Sequence, residues 1–158
     1  MCKPVEVIVE KTHECAVIPT KGSSEAACFD VYSVEDKRVC PGSVTVVKTG
    51  IKMKIPTGYM IHVVPRSGLA FKNGIFVLGG IIDSDYRGEI MIMLSCALKQ
   101  ETISDGIGMR HILDETFISV GDRIAQLQVI PVPQVSMIEG SVDIDTERGE
   151  GGFGSTGE

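Results

Sequence analysis

Between Val5 and Glu10 the chain sets Val7 and Val9 against Glu6 and Glu10, the period-two alternation of a strand with one face in a core. Ile51 to Ile55 reads Ile-Lys-Met-Lys-Ile in the same period, and Val44 to Val47 predicts a separate strand just before it. Pro56-Thr57-Gly58 turns the chain into Tyr59 to Val64, which Pro65 ends. Ile90 to Leu94 is uniformly apolar and predicts a strand buried on both faces, and Ile124 to Val132 predicts another core strand closed by prolines. Helical spacing occurs only in Gly108 to Phe117, where Met109, Ile112 and Leu113 predict a short helix. The expected fold is all-β, with about eight to ten short strands in a jelly-roll-like antiparallel double sheet. Residues 99–116 interrupt the pattern. They are polar and glycine-containing, and lie between two strong strands where a tight turn would serve, so they read as a surface insertion, either inert or a place for partner binding.

Composition narrows the picture. With 158 residues the chain is one domain, and 43% hydrophobic residues suffice for a core. Eighteen glycines and seven prolines, scattered rather than clustered, favour many turns and so support the all-β reading. A net charge of -6 argues against a nucleic-acid polymer as partner, because displacing its counterions needs a basic face. A small phosphorylated ligand stays open, since a few placed arginines serve it. Cys2, Cys15, Cys28, Cys40 and Cys96 contain no Cys-x-x-Cys pair, and His13, His62 and His111 show no ligand spacing. Neither a zinc site nor a disulfide framework is expected. The start of the chain has no apolar signal core, and no stretch is apolar for long enough to span a bilayer, so an intracellular protein without a membrane partner is expected.

Five segments carry candidate chemistry. Gly79-Gly80-Ile81-Ile82-Asp83-Ser84-Asp85-Tyr86-Arg87-Gly88-Glu89-Ile90 places two carboxylates, a phenol and a guanidinium in a tight turn between apolar strands. Asp83, at a strand end, either activates a water as general base or bonds the N–H groups of its own turn. Tyr86 either packs or presents a flat face to a sugar or base. Pro65-Arg66-Ser67-Gly68-Leu69-Ala70-Phe71-Lys72 follows a strand and predicts a helical turn whose first N–H groups, with Ser67 and Arg66, suit an anion. Residues 147–158 hold Arg148, Phe153, Ser155 and Thr156 among five glycines, too few apolar groups for a core. They read as a mobile end or as a lid over a phosphorylated ligand, closing a domain of residues 1–146.

Ala26-Ala27-Cys28-Phe29-Asp30-Val31-Tyr32-Ser33 and Val120-Gly121-Asp122-Arg123-Ile124-Ala125-Gln126-Leu127 complete the set. With all five in fixed order from Ala26 to Gly157, the chain resembles the trimeric dUTPase family, the dUTP diphosphatases. The resemblance implies a jelly-roll homotrimer that hydrolyses dUTP to dUMP and pyrophosphate, keeping uracil out of DNA and supplying dUMP for thymidylate synthesis. Each active site would draw on all three subunits. By this resemblance Asp83 activates the water that attacks the α-phosphorus, and Tyr86 lies against the deoxyribose, leaving no space for a 2′-hydroxyl. Gly80, Ile81 and Ile82 read the uracil through their backbone. Ser67, Gly68 and Gln126 hold phosphate oxygens, with Arg66 supporting their loop. Asp30 faces a water on a Mg2+ ion carried by the phosphates. Arg148 neutralises terminal phosphate charge, Phe153 stacks on the uracil, and Gly154, Ser155 and Thr156 cap the γ-phosphate.

The chain departs from the family pattern at Cys28, where glycine is usual, and at Val77, where many bacterial-type members carry asparagine. The first implies ordinary dihedrals or an altered turn at that point. The second leaves uracil recognition to the backbone. Two other readings compete: a dCTP deaminase of the same fold, which uses a Glu base and a different signature, and a regulatory binding module working through residues 99–116.

Overall fold

The structure, a computed structural model, describes residues 4–97, 99–102, 109–112, 116–142, 145–147 and 149–151. Two four-stranded antiparallel sheets face each other. One has the spatial order β1 (Ile8–Lys11), β4 (Thr45–Lys54), β8 (Glu89–Cys96), β6 (Ile75–Leu78). The other runs β2 (Phe29–Tyr32), β12 (Arg123–Pro131), β5 (Tyr59–Val64), β7 (Ile81–Ile82). Two smaller ladders, β3 (Lys37–Val39) with β11 (Thr116–Ile118) and β9 (Lys99–Thr102) with β10 (Met109–Ile112), complete the described strands. One helix, α1 (Ser67–Asn73), follows β5. This is the expected jelly-roll double sheet. Alternate residues of the inner faces make the core: Val47, Ile51 and Met53 of β4 and Ile90, Ile92 and Leu94 of β8 meet Val31, Ile61 and Leu127 of the second sheet.

The structure corrects several sequence expectations. Val44 to Val47 and Ile51 to Ile55 belong to one strand, β4, whose pairing with β8 shifts register between Lys48 and Lys52. Gly50 makes the irregularity possible. Its φ is 64°, its N–H donates to Glu89 Oε1 (2.9 Å), and its carbonyl accepts from the Thr12 N–H (2.7 Å). Nor is Ile90 to Leu94 buried on both faces: Met91 and Met93 are 46% and 39% exposed, because only the inner face of β8 meets the second sheet within one chain.

The short helix expected between Gly108 and Phe117 is absent among the described residues, where Met109–Ile112 pairs antiparallel with Lys99–Thr102 as a hairpin ladder and Thr116–Ile118 joins β3. One turn of helical spacing does not offset the cost of nucleating a helix, whereas two adjacent segments can pair directly. The inserted segment therefore carries strands of its own. Twelve described strands exceed the expected eight to ten, the excess coming from this hairpin and from β3 and β11.

An ideal Cβ on Gly50 would stand 2.7 Å from His13 Cβ and 2.9 Å from Val34 Cγ1. Gly50→Ala combines a left-handed backbone with overpacking, so we expect a loss of about 2–4 kcal/mol in urea unfolding. A change within ~0.5 kcal/mol would mean that the bulge has other conformations open to it.

Candidate functional site

Asp30 lies on β2 opposite Gln126 of β12, which in turn faces Val64 at the end of β5. Only 4% exposed, its carboxylate is held by three donors. Oδ1 accepts from Arg66 Nε (3.1 Å) and Gln126 Nε2 (3.2 Å), while Oδ2 accepts from a terminal guanidinium nitrogen of Arg123 (3.2 Å). Arg66 also donates to the Arg123 carbonyl (3.0 Å). Ionised hydrogen bonds of this kind replace the water that burial removes from the carboxylate.

Local folding explains the convergence. Pro65 ends β5, and Arg66, extended at φ −89° and ψ 126°, precedes the helical turn expected from the sequence, its carbonyl accepting from the Ala70 N–H (2.9 Å). Ser67 and Gly68 are exposed at the start of α1, and a Cβ on Gly68 would meet nothing within 4 Å.

Arg123 was not singled out from the sequence, because residues three apart on a regular strand point to opposite faces. Between Arg123 and Ala125 the β12–β2 pairing shifts by one residue, and this bulge brings Arg123 round to the carboxylate that Gln126 also reaches. Two guanidiniums, balanced formally by the carboxylates of Asp30 and Asp122, stand at a cleft of about 460 Å³ lined by Tyr32, Arg66, Asn73, Phe117, Asp122 and Arg123.

The second group sits on the hairpin between β6 and β8. Gly79 and Gly80 have φ of 73° and 125°, so the chain reverses where side chains are disfavoured. The Gly80 carbonyl accepts from the Val63 N–H at 2.7 Å. A Cβ on Gly80 would lie 2.9 Å from the Val63 carbonyl oxygen, so the close approach itself needs glycine. After β7 the Tyr86 N–H donates to the Asp83 carbonyl (3.2 Å), closing the turn. The turn is braced by Arg87, which donates to the carbonyls of Ser84 (2.7 Å) and Tyr86 (2.9 Å).

The Asp83 carboxylate is exposed and bonds no N–H of its turn among the described residues. Tyr86 donates its hydroxyl to the Glu89 carbonyl (3.1 Å). A cleft of about 310 Å³ here is lined by Ile81, Ile82, Asp83, Tyr86 and Glu89, backed by Met91 and Met93.

The two groups do not share a cleft. Asp83 follows Ile82, which pairs with Ile61, and so continues along β5 away from Val64, the partner of Gln126. Four residues along the strands and two strand spacings across them put the Cα atoms of Asp83 and Gln126 about 16 Å apart. Arg148, Phe153, Gly154, Ser155 and Thr156 lie outside the described residues.

No group of three or more His, Cys, Asp or Glu side chains among the described residues is placed to hold a metal ion. Asp30, the one expected to face the ion's hydration shell, has both oxygens engaged by cationic or amide donors. No described helix is long and apolar enough to cross a membrane.

Residues 14–157 match the family model described as dUTPase. A protein of Nautilia profundicola described as deoxyuridine 5'-triphosphate nucleotidohydrolase is 43% identical over 151 residues, covering 94% of this chain and 96% of its own. Among solved structures, the dUTPase of Staphylococcus bacteriophage 80alpha with dUPNHPP superimposes with a TM-score of 0.78 at 27% identity, covering 97% of this chain and 99% of that one. A mutant dUTPase of phage phi11 of S. aureus, described as revealing the coordination of a structural Mg(II) ion, gives a TM-score of 0.70 at 25% identity, covering 85% and 97%. The chain belongs to the dUTPase family.

Proposed function

We propose that this protein hydrolyses dUTP to dUMP and pyrophosphate. The observation that carries the reading is an exposed Asp83 carboxylate beside a tyrosine ring, on a chain whose other cleft is lined by the guanidiniums of Arg66 and Arg123. Asp83 takes a proton from a water as its oxygen attacks the α-phosphorus. The bond from that phosphorus to the bridging oxygen of the β-phosphate breaks, and pyrophosphate leaves with the electron pair. Charge developing on the phosphate oxygens is met by Ser67, Gly68 and Gln126, with Arg66 and Asp30 keeping that group in register. Tyr86 lies along the deoxyribose, and the backbone of Gly80 to Ile82 reads the uracil edge with no polar side chain at Val77. Arg148, Phe153, Gly154, Ser155 and Thr156 complete the site over the triphosphate and base.

A Mg2+ ion held by the substrate's phosphates would neutralise part of their charge, and Asp30 would face one of its waters. Asp83 and the Arg66–Arg123 group line separate clefts of one chain, which supports a homotrimer whose sites combine Asp83 of one copy with the Asp30 group of another. dUTP is a nucleotide of the cell interior, so the same reading places the protein there.

Pyrophosphate release with magnesium should be at least ~10²-fold faster from dUTP than from dTTP or dCTP, and chelation should abolish it. Comparable turnover of the three would overturn the assignment. Asp83→Asn should fold normally and lower kcat by at least ~10²-fold, the low end for losing a general base. Near-normal turnover of the folded variant would give the water to another group.

Asp30→Asn leaves two guanidiniums without their counter-charge. Because Arg123 is 50% exposed and Arg66 22%, water relieves part of the cost, and we expect a loss of about 1–3 kcal/mol in urea unfolding with a fall in kcat/KM. Unchanged stability would show that the carboxylate does not hold the cluster together.

A further inference from the structure

Most glycines near the site have a backbone reason to be glycine, but Gly88 does not. It is not among the residues of positive φ, so its dihedrals are open to alanine. What excludes a side chain there is the ring two residues earlier. An ideal Cβ on Gly88 would stand 2.5 Å from Tyr86 Cζ and 3.0 Å from Cε2, with the hydroxyl oxygen nearer still. Atoms at such separations cannot coexist, and the obstacle is a flat ring that rotates as one body. The phenol reaches the Glu89 carbonyl only by lying across the place where that Cβ would be. Tyr86 is 43% exposed within one chain, and two features bear on the direction of its ring: the hydroxyl bond to Glu89 and the vacancy at Gly88.

We propose that Gly88 is a specificity-positioning residue, which by lacking a side chain seats the Tyr86 ring where it excludes a 2′-hydroxyl from the sugar side of the site. The inference rests on the dUTPase reading, which puts Tyr86 against the deoxyribose. Arg87 ties the carbonyls of Ser84 and Tyr86 irrespective of where the ring points, so Gly88→Ala evicts the ring while the turn that carries Asp83 keeps its braces. Discrimination should then suffer more than catalysis.

The test is a double-mutant cycle on the full chain, read as kcat/KM for dUTP divided by kcat/KM for UTP. Gly88→Ala should lower that ratio at least ~10-fold, chiefly by raising activity on UTP. In a Tyr86→Ala background the same change should move the ratio less than ~2-fold, since there is no ring left to displace. An unchanged ratio in Gly88→Ala, or an equal fall in both backgrounds, overturns the proposal. Should Gly88→Ala fail to fold, folding of Tyr86→Ala/Gly88→Ala would still identify the ring as the obstacle. Failure of both would assign the glycine to the backbone and overturn it.

A second readout does not depend on activity. The chain has three tyrosines and no tryptophan, so 3-fluorotyrosine labelling gives three 19F resonances, and the one removed by Tyr86→Phe should move in Gly88→Ala. If wild type fails to prefer dUTP over UTP while that resonance still moves, the functional reading is at fault and the ring seat stands. A resonance that stays in place removes the seat itself.

Discussion

A carboxylate as buried as that of Asp30 persists in a fold only if something replaces the water it loses, and here two guanidiniums and one amide do so. The donors come from β12 and from the residue before α1, so one charge ties the β2–β12–β5 sheet to the loop after β5. Because Arg66 bonds the carbonyl of Arg123 as well as Asp30, the loop cannot shift without breaking two contacts at once. The cleft beside it presents two guanidinium donors to a ligand without the protein having to be basic as a whole, so a net charge of -6 does not exclude a phosphorylated substrate.

The second constraint is a matter of distance. Asp83 and Tyr86 sit on a hairpin at the opposite side of the same sheet, held by glycines at 79 and 80 and by the Arg87 guanidinium. A water-activating group and the groups that hold phosphate are useful only within a few ångströms of one phosphorus. On the proposed reading, assembly of three chains supplies that proximity, and the outward Met91 and Met93 beside the hairpin form a surface such an assembly could cover.

A strand with strict alternation was legible in the sequence: Ile51 to Ile55 puts its apolar residues on the inner face as the pattern implies, and Tyr59 to Val64 forms the strand expected between its turns. What could not be read was where the period breaks. Gly50 bends β4 without interrupting it, and a one-residue bulge turns Arg123 onto the face of Gln126, so alternation misplaces both. The apolar run at β8 misled for another reason: apolar residues on an outer face and in a core look alike in one chain. Chemically, Asp83, Tyr86 and Arg66 stood out as polar groups in turns or at strand ends, whereas Asp30 and Gln126 had roles only through the family resemblance. Their grouping into two clefts did not stand out, because it depends on strand order. Gly88 escaped notice since its role is a space defined by another residue.

The central claim is that one working site needs Asp83 and the Asp30 group from different copies. It is tested most directly by refolding together two inactive variants, Asp83→Asn and Ser67→Ala/Gln126→Ala, and isolating mixed trimers by mass. Around a ring of three, any mixture has one position where an intact Asp83 meets an intact phosphate group, so the account predicts about one third of wild-type dUTP hydrolysis from parents that have none. Mixed trimers as inactive as both parents would contradict it, placing both halves of the site on a single chain.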